Sequence, residues 1–186
     1  MRDKHVDVKG STLRFEFRGK SGKRHTIGVN SRRLARIVKQ CRDLPGHELF
    51  QYIDDDERRQ DVSSSDVNEY LNEITAEEFT AKDFRTWSGT VLAATALREF
   101  EKPASMSQAK KDVVKAIEAV AGVLGNTPAV CRKSYIHPGI IDAYMDGSIS
   151  DLRSTKRFAK LRSDEAAALC ILQQLARGGA RRRKAA

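Results

Sequence analysis

The hydrophobic period of this chain changes once along its length. Up to Val29 apolar residues recur at every second position, and from Arg32 onward they recur every three to four. A period of two marks a half-buried strand and a period near 3.6 marks a helix. Thr12–Arg18 alternates, with Leu13, Phe15 and Phe17 on one face. His5–Gly10 reads as a short strand and Arg24–Val29 as a returning one. Between the last two lies the glycine-flanked turn Gly19-Lys20-Ser21-Gly22-Lys23. The expectation is a β-hairpin or three-stranded meander with Lys20 and Lys23 at its tip.

The rest reads as helices. Asn30 or Ser31 is a good N-cap for Arg32–Arg42, with Leu34, Ile37, Val38 and Cys41 at helical spacing. Leu44-Pro45-Gly46 ends that helix, and 47–53 is a short apolar segment of undefined type. Asp54–Arg59 is a charged loop; its three adjacent aspartates do not have calcium-loop spacing, so they read as a solvated turn. Ser63–Asp66 caps a helix over Val67–Ile74, and Thr75–Glu78 has the form of a capping box. A long helix then runs through Phe84, Trp87, Val91, Leu92, Ala94 and Leu97 to the break at Lys102-Pro103. Ser107–Leu124 is a further amphipathic helix. Pro138-Gly139 opens a segment with Ile140, Ile141 and Tyr144, and Asp164 caps a last helix over Glu165–Ala176. The fold class is therefore α+β, a small N-terminal antiparallel sheet with a mainly helical body.

Length and charge narrow the function. The 186 residues suit one domain or two small ones; 1–176 is taken as one catalytic domain, followed by a basic flexible tail over 177–186 that holds Arg177, Arg181, Arg182, Arg183 and Lys184. No apolar run approaches the ~20 residues that span a bilayer. Three cysteines, Cys41, Cys131 and Cys170, are far apart and form no C-x-x-C pair, which argues against a zinc site or disulfide framework. A net charge of +9 favours a polyanionic partner.

The most informative stretch is Leu124-Gly125-Asn126-Thr127-Pro128 through Tyr135. Gly125 reads as a helix stop, Asn126 or Thr127 as the cap of a new short helix, and Pro128 as a first-turn residue. Tyr135 lies nine residues after Asn126, with Arg132 and Lys133 beside it. A phenol with a pKa of about 10 is a poor nucleophile unless cations stabilise it or its target. Taken alone, Tyr135 would read as a half-buried core residue. Metal-free breakage and rejoining of a DNA strand, however, needs four things: a nucleophile that survives as an ester, an arginine fork and a further donor on the phosphate oxygens, and a proton for the departing 5′-oxygen. Tyr135, Arg85, Asn126 and Lys20 are of those types, each at a loop or helix end.

Phe84-Arg85-Thr86-Trp87-Ser88-Gly89-Thr90, then Leu124–Pro128 followed by Tyr135, resemble the catalytic region of a type IB DNA topoisomerase of the compact bacterial and poxvirus-type branch. Phe17–Lys23 resembles that family's lysine hairpin. The resemblance runs from about His5 to the segment after Tyr135. It implies a mainly helical catalytic domain and relaxation of supercoiled double-stranded DNA without ATP, metal or cofactor. It implies Tyr135 as nucleophile forming a 3′-phosphotyrosyl link, Lys20 as general acid and Arg85 as phosphate clamp. Asn126 stands where many members have histidine; its amide still donates a hydrogen bond but carries no charge. Lys23, Arg132 and Lys133 are candidate DNA contacts. A monomer in the cytoplasm, associated with the nucleoid, is the matching expectation.

The family pattern has a first arginine upstream of the lysine hairpin, and Arg2 does not match it. The chain by itself is therefore expected to be weak or inactive, slower by roughly two to four powers of ten by analogy with a lost oxyanion donor. Two other readings remain: a tyrosine recombinase, which shares the chemistry but usually has histidine where Asp83 stands, and a non-catalytic DNA-binding module. His5, His25, His47 and His137 read as ordinary surface or core histidines.

Overall fold

The computed structural model describes residues 1–19, 22, 24–151, 158 and 160–184, and side chains other than those of 150, 151 and 178–184. By its contacts the chain separates into two units, Met1–Phe79 and Thr80–Ala186. The boundary thus falls at 79/80, inside the stretch taken above as one domain.

In the first unit β1 (Val6–Lys9), β2 (Thr12–Arg18) and β3 (Arg24–Asn30) form an antiparallel sheet in the order β1-β2-β3. The register pairs Val8 with Leu13, Leu13 with Val29 and Phe15 with Ile27, so the alternating apolar residues share one face. α1 (Arg32–Asp43) covers that face, capped by Ser31, whose Oγ accepts from the Leu34 amide at 3.3 Å. The core here is Val6, Leu13, Ala35, Val38 and Leu49, with Val8, Phe15 and Val29 packed against it. The inward stripe of α1 differs from the expectation. Leu34 and Ile37 are 45% and 42% exposed, while the small Ala35 lies against the sheet beside Val38.

The undefined 47–53 segment supplies β4 (Gln51–Ile53), which pairs antiparallel with β5 (Arg59–Asp61). The turn between them is organised by one of the three aspartates. Asp54 accepts from the Arg58 amide at 2.8 Å, the Asp56 amide at 3.1 Å and Gln60 Nε2 at 2.8 Å. These bonds, that from Gln60 foremost, hold its carboxyl below its ordinary pKa. α2 (Ser64–Thr75) begins in a capping box, with Ser63 Oγ accepting from the Asp66 amide and Asp66 accepting from the Ser63 amide at 2.7 Å. Thr75–Glu78 is not a second box. The Thr75 hydroxyl donates back to the Leu71 carbonyl at 2.6 Å, and Ala76, at φ 55°, ends the helix.

The second unit is helical: α3 (Ala81–Glu99), α4 (Met106–Leu124), α5 (Pro128–Ser134), α6 (Pro138–Met145), a 3₁₀ turn (Ser148–Asp151) and α7 (Ser163–Lys184). Asp83 makes the capping box of α3, accepting from the Thr80 amide at 2.9 Å and the Thr80 hydroxyl at 2.6 Å. α7 starts before the expected cap. Asp164 lies in its first turn, and Glu165 accepts from the Arg162 amide at 3.1 Å. The helix continues through Ala176 to Lys184, into the stretch read as a tail. No single helix among the described residues is long and apolar enough to cross a membrane.

The core of this unit brings together Val91, Ala94 and Leu97 of α3, Val113, Ile117 and Val120 of α4, Cys131 of α5, Ile140 of α6 and Ile171 of α7. One polar pair is sealed into it. Asp112, 5% exposed, accepts from Tyr144 Oη at 3.0 Å and from Gln108 Nε2 at 2.8 Å. Burial, and then the bond to Asp112, push the Tyr144 phenol from 10 up to about 12. Below pH 10 neither the folded nor the unfolded phenol ionises, and this contribution to stability is complete. Above pH 10 the unfolded phenol ionises first, so stability falls as pH rises from 10 to about 12. The loss is on the order of 2–3 kcal/mol. Denaturant melts of the wild type should show this slope, and Tyr144→Phe should flatten it.

Candidate active site

The site is built where the end of α4, the whole of α5 and the first half of α3 meet. Gly125 stops α4 in the left-handed conformation, at φ 70°, as its residue type requires. Thr127 caps α5, its Oγ accepting from the Val130 amide at 3.3 Å, and Pro128 takes the first turn. Tyr135 is the C-cap of α5, with its amide donating to the Cys131 carbonyl at 2.9 Å. Its ring is half-buried and packs against the core cluster.

α3 holds this helix end through consecutive turns of the Phe84–Thr90 motif. The guanidinium carbon of Arg85 lies 5.1 Å from the centroid of the Tyr135 ring. Arg85 Nη2 donates to the Leu124 carbonyl at 2.8 Å, and Asn126 Nδ2 donates to the same oxygen at 3.1 Å. Arg85, Asn126 and Tyr135 are thus gathered around one helix end. Thr90, 2% exposed, accepts the His137 amide at 3.1 Å and lies 3.5 Å from the Tyr135 carbonyl. Phe84, beside Arg85, is 53% exposed and takes no part in the core.

Gly89 is the tightest point. A Cβ added there would sit 2.5 Å from the Tyr135 carbonyl oxygen and 3.2 Å from Leu124 Cδ1. Since the nearest atom belongs to the backbone, relief requires α3 and the end of α5 to part. Gly89→Ala should cost about 1–3 kcal/mol of stability. On the role that the resemblance implies for Tyr135, its displacement should also lower the strand-cleavage rate on the order of a hundredfold. Thermal melts with single-turnover cleavage measure the two effects separately. Neither Gly89 nor Thr90 stands out as functional by residue type; their positions four and five residues after Arg85, about one helical turn on, are the signal that could have found them.

Other candidates fall elsewhere. Arg132 and Lys133 are exposed on α5, in its last turn. Asp83 is occupied in capping α3, and the hydrogen bonds from Thr80 hold its carboxyl below its ordinary pKa. His137 caps α6, its Nδ1 accepting from the Gly139 amide at 3.1 Å. Lys20 and Lys23 lie outside the described residues.

Residues 1–162 match the catalytic core of eukaryotic DNA topoisomerase I. The chain is also similar to the DNA topoisomerase 1B of Acanthamoeba polyphaga mimivirus, 33% identical over 153 residues. That match covers 78% of this chain and 46% of the viral protein, so the chain spans about half the length of the curated relative it matches. With the family match running over most of its length and these residues gathered as described, the chain belongs to the type IB DNA topoisomerases, in their catalytic region.

Proposed function

We propose that this chain relaxes supercoiled duplex DNA by transient cleavage of one strand. The observation that carries the reading is the Arg85 guanidinium 5.1 Å from the Tyr135 ring, with Asn126 on the same carbonyl as Arg85. Tyr135 Oη attacks the scissile phosphorus, its proton passing to solvent water, and the bond from phosphorus to the 5′-oxygen breaks. The tyrosyl ester then holds the 3′ end. Arg85 and Asn126 place donors on the non-bridging oxygens, where charge gathers in the transition state. Lys20, which follows β2 in the sequence, gives the departing 5′-oxygen its proton. The free end swivels, and the 5′-hydroxyl attacks the ester to reseal the strand. The ester conserves the energy of the broken bond, so no nucleotide is consumed.

A protein working in this way relaxes plasmid that carries no defined site. A recombinase requires paired sites of its own, and a binding module retards the DNA without changing its linking number. The relevant assay is relaxation of such a plasmid in the presence of chelator. Arg85 is the one arginine that these 186 residues offer at the positions matching the family pattern, so relaxation should be slow. It should be roughly two to four powers of ten below a protein with both arginines. Fast relaxation by the 186-residue chain would refute the need for the second arginine, and no relaxation at any concentration would refute the activity. Binding should weaken steeply as salt rises, because phosphate contacts release counterions.

A further inference from the structure

The Leu124 carbonyl is where two of the proposed phosphate donors meet, and the reason lies in how α4 ends. The last carbonyls of a helix have no intrahelical partner and sit at the negative end of the helix dipole. At this end the amides of Gly125 and Asn126 both turn back to the Ala121 carbonyl, closing the helix. The Leu124 carbonyl is left to accept from outside, and it receives Arg85 Nη2 at 2.8 Å and Asn126 Nδ2 at 3.1 Å. Gly125, at φ 70°, makes the turn that aims it.

We infer that the Leu124 carbonyl orients Arg85 and Asn126 for the scissile phosphate, which makes Gly125 a positioning residue for cleavage. The inference rests on the proposed function and adds a residue and a means to it. A guanidinium is planar, so fixing one Nη2 and one face over a ring fixes the direction of the whole fork. Of its five N–H groups one is used among the described residues, which leaves four to donate there. The anchor is also neutral. Among the described residues no carboxylate pairs with Arg85. A carboxylate would orient the arginine equally well but would cancel the charge that the phosphate needs; a carbonyl orients it and leaves the charge in place. The Asn126 amide is held in the same way, with one N–H on the carbonyl and, among the described residues, the other left over.

Two substitutions separate this role from plain support of the fold. Alanine is strained at positive φ, whereas asparagine tolerates it. Gly125→Ala should slow single-turnover cleavage about ten- to a hundredfold, since small misplacements of catalytic groups carry losses of that order. Gly125→Asn should stay close to wild type in rate, and both should bind DNA as wild type does. In an Arg85→Ala background most of the Gly125→Ala loss should vanish, because the group it positions has gone. An equal loss in both backgrounds would overturn the inference. Nitrogen-15 spectra of the Arg85 Nη groups in the free protein give an arm that needs no reaction. Hindered Nη2 rotation in wild type, released in Gly125→Ala, is the expected result, and free rotation in wild type would overturn the inference. Hindered rotation in a protein that makes no DNA adduct would remove the proposed function and leave the orientation standing.

Discussion

Tyr135→Phe should form no covalent adduct with DNA and relax no plasmid, while folding and binding duplex as the wild type does. The substitution removes one oxygen and keeps the ring that packs against the core and beside Arg85. Among the described residues the Tyr135 hydroxyl makes no hydrogen bond, so its removal leaves no buried partner unpaired and stability should change little. The rate effect is of a different size. Removing the nucleophile from an enzyme that works through a covalent intermediate lowers turnover by about a millionfold in the hydrolase where it has been measured. A comparable loss would be read here as complete. Gel-shift affinity and melting temperature within error of wild type, with no band of retarded protein on a denaturing gel, are the expected results. Residual adduct in this variant would move the nucleophile to another residue.

Arg85→Ala should have the second largest effect, a loss of roughly 10²–10³ in cleavage rate. Its size follows from the role proposed for the guanidinium, which is to offer several aligned donors to a phosphate from a position fixed on the Leu124 carbonyl at 2.8 Å. Arg85→Lys should recover only part of the loss, because lysine keeps the charge but not the fork. Removing the contact with the Tyr135 ring should also lower stability by about 0.5–1 kcal/mol. The choice of leaving group distinguishes this role from that of Lys20. A 5′-bridging phosphorothiolate leaves as a thiolate and needs no general acid. Arg85→Ala should therefore stay slow on sulfur and oxygen alike, whereas Lys20→Ala should recover on sulfur. Recovery of Arg85→Ala on sulfur would remove it from the phosphate.

Much of this is legible in the sequence alone, and the reasons are local. The β2–β3 hairpin could be read because alternation puts Leu13, Phe15 and Phe17 on one face, and the register keeps them there. The break between α4 and α5 could be read because Gly125, Thr127 and Pro128 each carry a backbone preference that holds in any context. What failed was choice among equivalent local patterns. Thr75–Glu78 and Thr80–Asp83 have the same capping form, and only the second caps a helix, because the Thr75 hydroxyl is drawn back to the Leu71 carbonyl. In α1 the long residues Leu34 and Ile37 drew attention, but the sheet is approached through Ala35. The division at Phe79 and Thr80 has no proline or glycine to announce it. In the site, the grouping of Arg85 with Tyr135 came from family resemblance, since no spacing rule joins residues 50 positions apart. Gly89 against the Tyr135 carbonyl, Asp112 with Tyr144 and the double use of the Leu124 carbonyl are long-range contacts of backbone or buried atoms, which residue type does not reveal.

The most direct test of the central claim is to identify the atom that DNA becomes joined to. A short duplex with a 5′-bridging phosphorothiolate traps the intermediate, because the sulfur departs readily and reseals poorly. After denaturation and digestion, mass spectrometry of the adduct should find the 3′-phosphoryl end on the peptide containing Tyr135, on the phenol oxygen, with chelator present throughout. An adduct on any other residue, or salt-sensitive binding with no adduct at all, would contradict the assignment of this chain as a tyrosine transesterase.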